Sequence, residues 1–208
     1  AAPGLARPAA GAVMRKRTTM FAGSVAFAAL ATLAVPVTHP LVWNASPSIP
    51  TGLYAIRGTA SLDVGERIAI EPTPALRHLM RERGYLSEGM PLLKRIAAVS
   101  GQRVCRIGPR IIIDGVFVGA ARAHDRVGRP LPAWSGCRTL RSGELFTMNP
   151  SAPDSFDGRY FGPLSIDNVI GRAMPVWTDE AGDGRHVWFA QPRFDELSKP
   201  QPKHSQGD

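Results

Sequence analysis

The chain has only two cysteines, Cys105 and Cys137, and no C-x-x-C or Cys/His spacing of the kind that builds a tetrahedral zinc site. Its five histidines are scattered, and none stands in a motif that would pair it with a serine and a carboxylate. A metal site is therefore not expected. There is no internal repeat. No run of Lys/Arg is interleaved with aromatics, and no helix pair of the DNA-binding kind is evident, so nucleic acid is not the expected partner despite a net charge of +8. Lysine itself is scarce. Of four, Lys16 precedes an apolar run and Lys199 and Lys203 lie near the end, which leaves Lys94 alone in the middle of the chain.

What is present begins with an uncharged segment, Thr18 to Val37, 20 residues long and of the length that spans a bilayer as a helix. The densest basic cluster, Arg15-Lys16-Arg17, stands just before it, so positive-inside logic puts residues 1–17 in the cytoplasm as a disordered leader and the rest outside. A cleaved secretory signal is the alternative, although no A-x-A site closes the run. Either way the net charge reads as membrane-related, and the expected location is the inner membrane with a domain over residues 41–178 in the periplasm. In that oxidising space Cys105 and Cys137 either form a disulfide, which loop entropy values at ~3 kcal/mol, or remain two buried thiols. Residues 179–208 read as a polar C-terminal tail.

The exported part holds Gly and Pro in quantity, 21 and 19, which favours short strands and many turns. "GLYAIRG" and "GERIAIEP" read as strands. "PALRHLMRERGYL" reads as a short amphipathic helix stopped near Gly84. "PLLKRIAAV" is an apolar strand with two basic residues inside it. "QRVCRIG" and "RIIIDGVFVG" suggest a hairpin with Asp114-Gly115 as a turn. Residues 121–136 and "SFDGRYFGPLS" read as loops, and "NVIGRAMPVW" as the last strand. The fold class is mainly β with one short helix, preceded by a transmembrane helix.

The stretch after the apolar run, "NASPSIPTGLY", places Ser46 and Ser48 between prolines. A serine hydroxyl needs a base to attack a carbonyl at neutral pH. Lysine can be that base only if burial lowers its pKa from ~10.4 toward 7–8. Lys94 fits, because on a strand it shares a face with Leu92, Ile96 and Ala98. Arginine, preferred elsewhere in the domain, does not deprotonate.

"SPSIPTGLY", then "LLKRIAAVSGQRV", then "SFDGRYFGP" together resemble the type I signal peptidase family, peptidases built on a Ser/Lys dyad. More narrowly, the anchor, the N-x-S-x-S-x-P-x-G-L-Y run and the paired cysteines are similar to the conjugative-transfer branch of TraF type. The resemblance spans roughly residues 14–177. It implies a coiled antiparallel β domain, Ser48 as nucleophile and Lys94 as general base. It aligns Ser46 with the side-chain donor of the oxyanion hole, beside the Ser48 amide. Ser155, Asp157 and Arg159 match the family's S-x-D-S-R segment, the serine near the lysine and the Asp/Arg pair supporting it. Two departures stand out. Ser48 is followed by Ile49-Pro50 rather than Met-x-Pro, and "MNPSAPD" replaces the usual G-D-N.

The implied function is a membrane-anchored serine endopeptidase that needs no cofactor. It would act on an exported precursor, in this branch a conjugative pilin precursor whose product is left linear or cyclised, alongside conjugative type IV secretion components. General signal-peptide removal is the rival within the same chemistry. A non-catalytic envelope scaffold is the rival outside it.

Overall fold

A computed structural model describes residues 41–58 and 61–191. The expected leader 1–17, the anchor 18–37 and the end of the tail lie outside the described residues. Among the described residues no helix is long and apolar enough to cross a membrane.

The larger sheet contains β1 (Leu41–Asn44), β2 (Thr51–Arg57), β3 (Arg67–Ile70), β4 (Leu92–Ala98), β9 (Glu144–Thr147), β10 (Leu164–Ser165) and β11 (Val169–Asp179) in the order β1-β2-β11-β3-β4-β9-β10. β12 (Val187–Trp188) adds to β11. The smaller sheet orders β5 (Arg103–Ile107), β6 (Arg110–Ile113), β7 (Val116–Ala120) and β8 (Gly136–Thr139) as β7-β6-β5-β8. All strand pairs are antiparallel. Helix α1 (Pro74–Glu82) starts as its sequence dictates. The Thr73 hydroxyl accepts the Leu76 N–H and Pro74 opens the first turn, while Leu76 and Met80 turn inward.

β4 is the strand on which the domain is organised, since every one of its residues is buried. Leu92 and Ile96 pack with Ile68, Leu145 and Phe156; Ala97 and Ala98 pack with Val104, Ile111 and Phe146; Leu93 packs with Ile49 and Tyr54. The expected common face of Leu92, Lys94, Ile96 and Ala98 therefore breaks at its end. A register shift against β9 between Ile96 and Ala98 sends Ala98 to the second cluster. With Leu92 and Leu93 before it and Ile96 after it buried, Lys94 leaves the backbone inside protein, not at a water-facing edge.

The Asp114-Gly115 turn forms as expected, with φ of 48° and 84° at its two positions. Cys105 and Cys137 sit directly opposite on β5 and β8 and are joined as a disulfide.

Two expectations need correction. "SFDGRYFGPLS" is not a loop but holds a second helix, α2 (Gly158–Phe161), and then β10. The Asp157 carboxylate caps α2 by accepting the Arg159 N–H, and Gly162 at φ 77° ends it; four residues are too few to leave a periodic signal. The stretch after Thr178 is also structured as far as residue 191. The Asp179 carboxylate accepts from the N–H groups of Gly182, Asp183 and Gly184, Glu180 pairs with the buried Arg67, and β12 follows.

Candidate active site

Three segments converge on one place: the turn between β1 and β2, strand β4, and the segment from Met148 to Asp157 that leads into α2. The turn is held from within by Asn44, the last residue of β1. Its Nδ2 lies 2.8 Å from the Ser46 carbonyl, 3.1 Å from that of Ile49 and 3.0 Å from that of Pro50, and its Oδ1 accepts the Ser46 N–H at 3.1 Å. An amide has two N–H bonds, so one is shared among these three acceptors. Just after the turn, β2 can lie against β11 because Gly52, at φ 132°, carries no Cβ; one placed there would lie 2.2 Å from the Trp177 carbonyl oxygen.

Within the turn the Ser46 hydroxyl accepts the Ser48 N–H at 3.4 Å and donates to Ser48 Oγ at 3.1 Å. The Ser48 hydroxyl in turn points at the Leu93 carbonyl, 3.5 Å away, which sets Ser48 beside the backbone of Lys94. Ser48 is only 5% exposed and Lys94 4%. Lys94 Nζ donates to Ser155 Oγ at 3.2 Å. Ser46, Ser48, Lys94 and Ser155 all line one cavity of about 620 Å³, whose apolar wall includes Met80, Leu92 and Phe156.

Burial lowers the Lys94 pKa to about 8. Desolvation is the principal cause; the Asp157 charge raises the value and the Arg159 charge lowers it. The two charges oppose because they form one buried pair, Arg159 Nε on Asp157 Oδ1 and Nη2 on Oδ2, both at 2.8 Å. The lysine thus faces a dipole more than a free carboxylate. Arg159 also donates to the carbonyls of Ala152, Pro153 and Ser155, which fixes the segment that presents the Ser155 hydroxyl. α2 reaches this position because Gly158 lies against β9. A Cβ on it would come within 2.6 Å of the Thr147 carbonyl oxygen and 2.7 Å of the Phe146 ring.

All six residues expected to form the site, Ser46, Ser48, Lys94, Ser155, Asp157 and Arg159, are brought together. The expected disulfide of Cys105 and Cys137 lies on the smaller sheet, one residue from Arg106. That arginine reaches the Arg159 carbonyl, so the smaller sheet is tied to α2. Two residues were not anticipated. One is Asn44, whose position just before a proline-bracketed turn is a signal that asparagine satisfies turn carbonyls. The other is Asn149, whose Nδ2 donates to the Ser48 carbonyl at 2.7 Å; 101 positions separate them, and nothing local points to the contact.

A buried lysine of depressed pKa beside two serines, on a mainly β frame, belongs to the chemistry of serine hydrolases that work without histidine. Residues 14–178 match the family described as "Signal peptidase, peptidase S26", and the chain belongs to that family of serine peptidases. The curated relatives it matches include conjugal-transfer proteins. It is 35% identical over 145 residues to "Conjugal transfer protein TraF" of Agrobacterium fabrum, covering 65% of this chain and 81% of that one. It is 37% identical over 149 residues to "Probable conjugal transfer protein TraF" of Sinorhizobium fredii, covering 65% and 76%. Among solved structures, a signal peptidase I from Enterococcus faecalis aligns at 19% identity and a TM-score of 0.34, over 55% of this chain and 98% of that one.

Proposed function

We propose that the protein is a membrane-anchored serine endopeptidase that cleaves an exported precursor protein, with Ser48 as nucleophile and Lys94 as its general base. The observation that carries this reading is the burial of Lys94, with its pKa lowered to about 8, in the cavity that also receives the Ser48 hydroxyl. At neutral pH roughly a tenth of such a lysine is uncharged, against well under a thousandth for a solvated one.

In the proposed cycle neutral Lys94 takes the Ser48 hydroxyl proton as Oγ attacks the scissile carbonyl. The Ser48 N–H and the Ser46 O–H turn from their present partners to the developing oxyanion. Lys94 then gives its proton to the leaving amine, and an acyl-enzyme on Ser48 remains. A water molecule or a second amine, deprotonated by Lys94, resolves it. Ser155 holds Nζ in place throughout, and the Asp157–Arg159 pair holds Ser155. No cofactor is needed for any of these steps.

The resemblance to the conjugative branch, together with relatives named for conjugal transfer, supports a conjugative pilin precursor as substrate. Residues 18–37 would anchor the chain in the inner membrane with the domain in the periplasm. The precursor's own N-terminal amine, attacking in place of water at the last step, would yield a cyclic product. The test is mass spectrometry of a co-expressed pilin precursor from the same gene cluster. Wild type shortens it, while Ser48→Ala and Lys94→Ala leave it at full length. A product one water lighter than the linear fragment marks cyclisation. Equal processing by wild type and Lys94→Ala overturns the reading.

A further inference from the structure

Ser48 and Lys94 are not hydrogen-bonded to each other in this structure; Lys94 is held by Ser155, and the Ser48 hydroxyl faces the Leu93 carbonyl. Their relative placement must therefore come from the backbone frame. In the turn, the carbonyls of Ser46, Ile49 and Pro50 accept from Asn44, and that of Pro50 also accepts from the Tyr54 hydroxyl at 2.7 Å. The Ser48 carbonyl accepts from Asn149. The Ser46–Pro47 and Ser48–Ile49 peptides are thus held by the side-chain amides of Asn44 and Asn149, and the Pro47–Ser48 peptide that carries the Ser48 N–H lies between them. The Ser48 N–H is left with one long bond, 3.4 Å to Ser46 Oγ, and is easily surrendered to a stronger acceptor.

Asn149 has a second set of partners. Its backbone N–H donates to Asp157 Oδ2 at 3.4 Å and its Oδ1 accepts the Ser151 N–H at 3.2 Å. It is 7% exposed and stands at the start of the segment that carries Ser155. One residue is therefore bonded both to the backbone of the nucleophile and to the carboxylate that supports the lysine's partner.

Resting on the peptidase reading above, we propose that Asn149 is a positioning residue for catalysis. Its side-chain amide holds the Ser48–Ile49 peptide as that of Asn44 holds the Ser46–Pro47 peptide, so that the Ser48 N–H between them and the Ser46 O–H converge on the oxyanion, and it locks this turn to the segment that carries the lysine's partner. Asn149 touches neither substrate nor the reacting atoms. It acts in the acylation step, after binding.

The test is steady-state kinetics on the full chain in detergent or proteoliposomes, with a precursor peptide that wild type cleaves and Ser48→Ala does not. Rates are normalised to folded protein from thermal unfolding. Asn149→Asp keeps the size of the side chain while replacing its donor by an acceptor, and Asn149→Ala removes the side chain. The expected result for both is a 10- to 100-fold fall in kcat per folded molecule with KM within twofold, and in Asn149→Ala, which adds no charge, the ascending pH limb of Lys94 is unmoved. Asn44→Asp lowers kcat in the same way. A kcat within twofold of wild type, a loss confined to KM, or a loss explained wholly by the folded fraction overturns the proposal while leaving the Ser48/Lys94 reading intact. A shift of the pH limb in Asn149→Ala also overturns it, since Asn149 would then act through the lysine and not through Ser48. If wild type and Ser48→Ala do not differ on any precursor, the peptidase reading fails and this proposal falls with it.

Discussion

Lys94 Nζ donates to Ser155 Oγ at 3.2 Å, with both residues 5% exposed or less. A hydroxyl is a neutral partner. It orients the amine without supplying the negative charge that would hold the proton on it, so desolvation is left to set the pKa near 8. A carboxylate at the same place would lock the lysine in its charged form. The nearest acid with an effect, Asp157, has its charge taken up by Arg159.

The rate should follow from this directly. kcat/KM is expected to rise with pH and level off above about 8, as Lys94 loses its proton in the free enzyme. Lys94→Arg keeps the bulk and charge but cannot deprotonate, and its activity should fall by at least about 1000-fold across the whole range. A pH-rate profile of both proteins checks this.

Stability should also rise with pH. The folded-state pKa of Lys94 lies below its unfolded value, so between about 8 and ~10.4 the unfolded chain binds the additional proton. The cost to the folded state is complete below the lower value and vanishes above the upper one. Lys94→Met is therefore expected to stabilise the domain by about 1–3 kcal/mol at pH 7, and by less at pH 10. Denaturant unfolding at the two pH values measures the difference.

Removal of the Ser46 hydroxyl takes away one of two donors to the oxyanion. Ser46→Ala should lose about 100-fold in kcat, ~3 kcal/mol of transition-state stabilisation, with KM little changed. Wild-type kcat in Ser46→Ala would remove Ser46 from the site.

The Asp157–Arg159 pair is a matter of folding more than of chemistry. Asp157 is fully out of water and Arg159 is 1% exposed. Asp157→Ala strands a buried guanidinium and should destabilise by about 3–5 kcal/mol, read as a shift in the denaturation midpoint.

The disulfide closes a separation of 32 residues. Loop entropy puts its loss at ~3–4 kcal/mol. Cys105→Ser with Cys137→Ser should lower stability by that order. Activity per folded molecule should hold, because none of the strands β5–β8 contributes a residue to the lining of the site cavity.

Much of this site was legible before any coordinates. A lone lysine within "PLLKRIAAV" could be read as buried because on a strand it shares a face with Leu92 and Ile96, and the structure buries all of β4. The serines stood out between prolines. The six-residue site, however, rested on the family resemblance more than on the residues themselves. Helix α2 was missed because its formation depends on a cap at Asp157 and a close approach by Gly158, neither of which has a period. The structured stretch after Thr178 was missed because Asp179 and Glu180 look like solvent-exposed acids in sequence, and only tertiary structure shows their partners. Asn149 was out of reach for the same reason: its partner is a backbone carbonyl, which leaves no mark on the identity of Ser48.

The central claim is that Ser48 carries the acyl group. The most direct measurement is peptide mapping by mass spectrometry after the full chain is trapped, early in turnover, with a precursor peptide. The account predicts an acyl adduct on Ser48 in wild type, none in Lys94→Ala, and an adduct still on Ser48 in Ser46→Ala, formed more slowly. An adduct on Ser46, or equal labelling in Lys94→Ala, would contradict it.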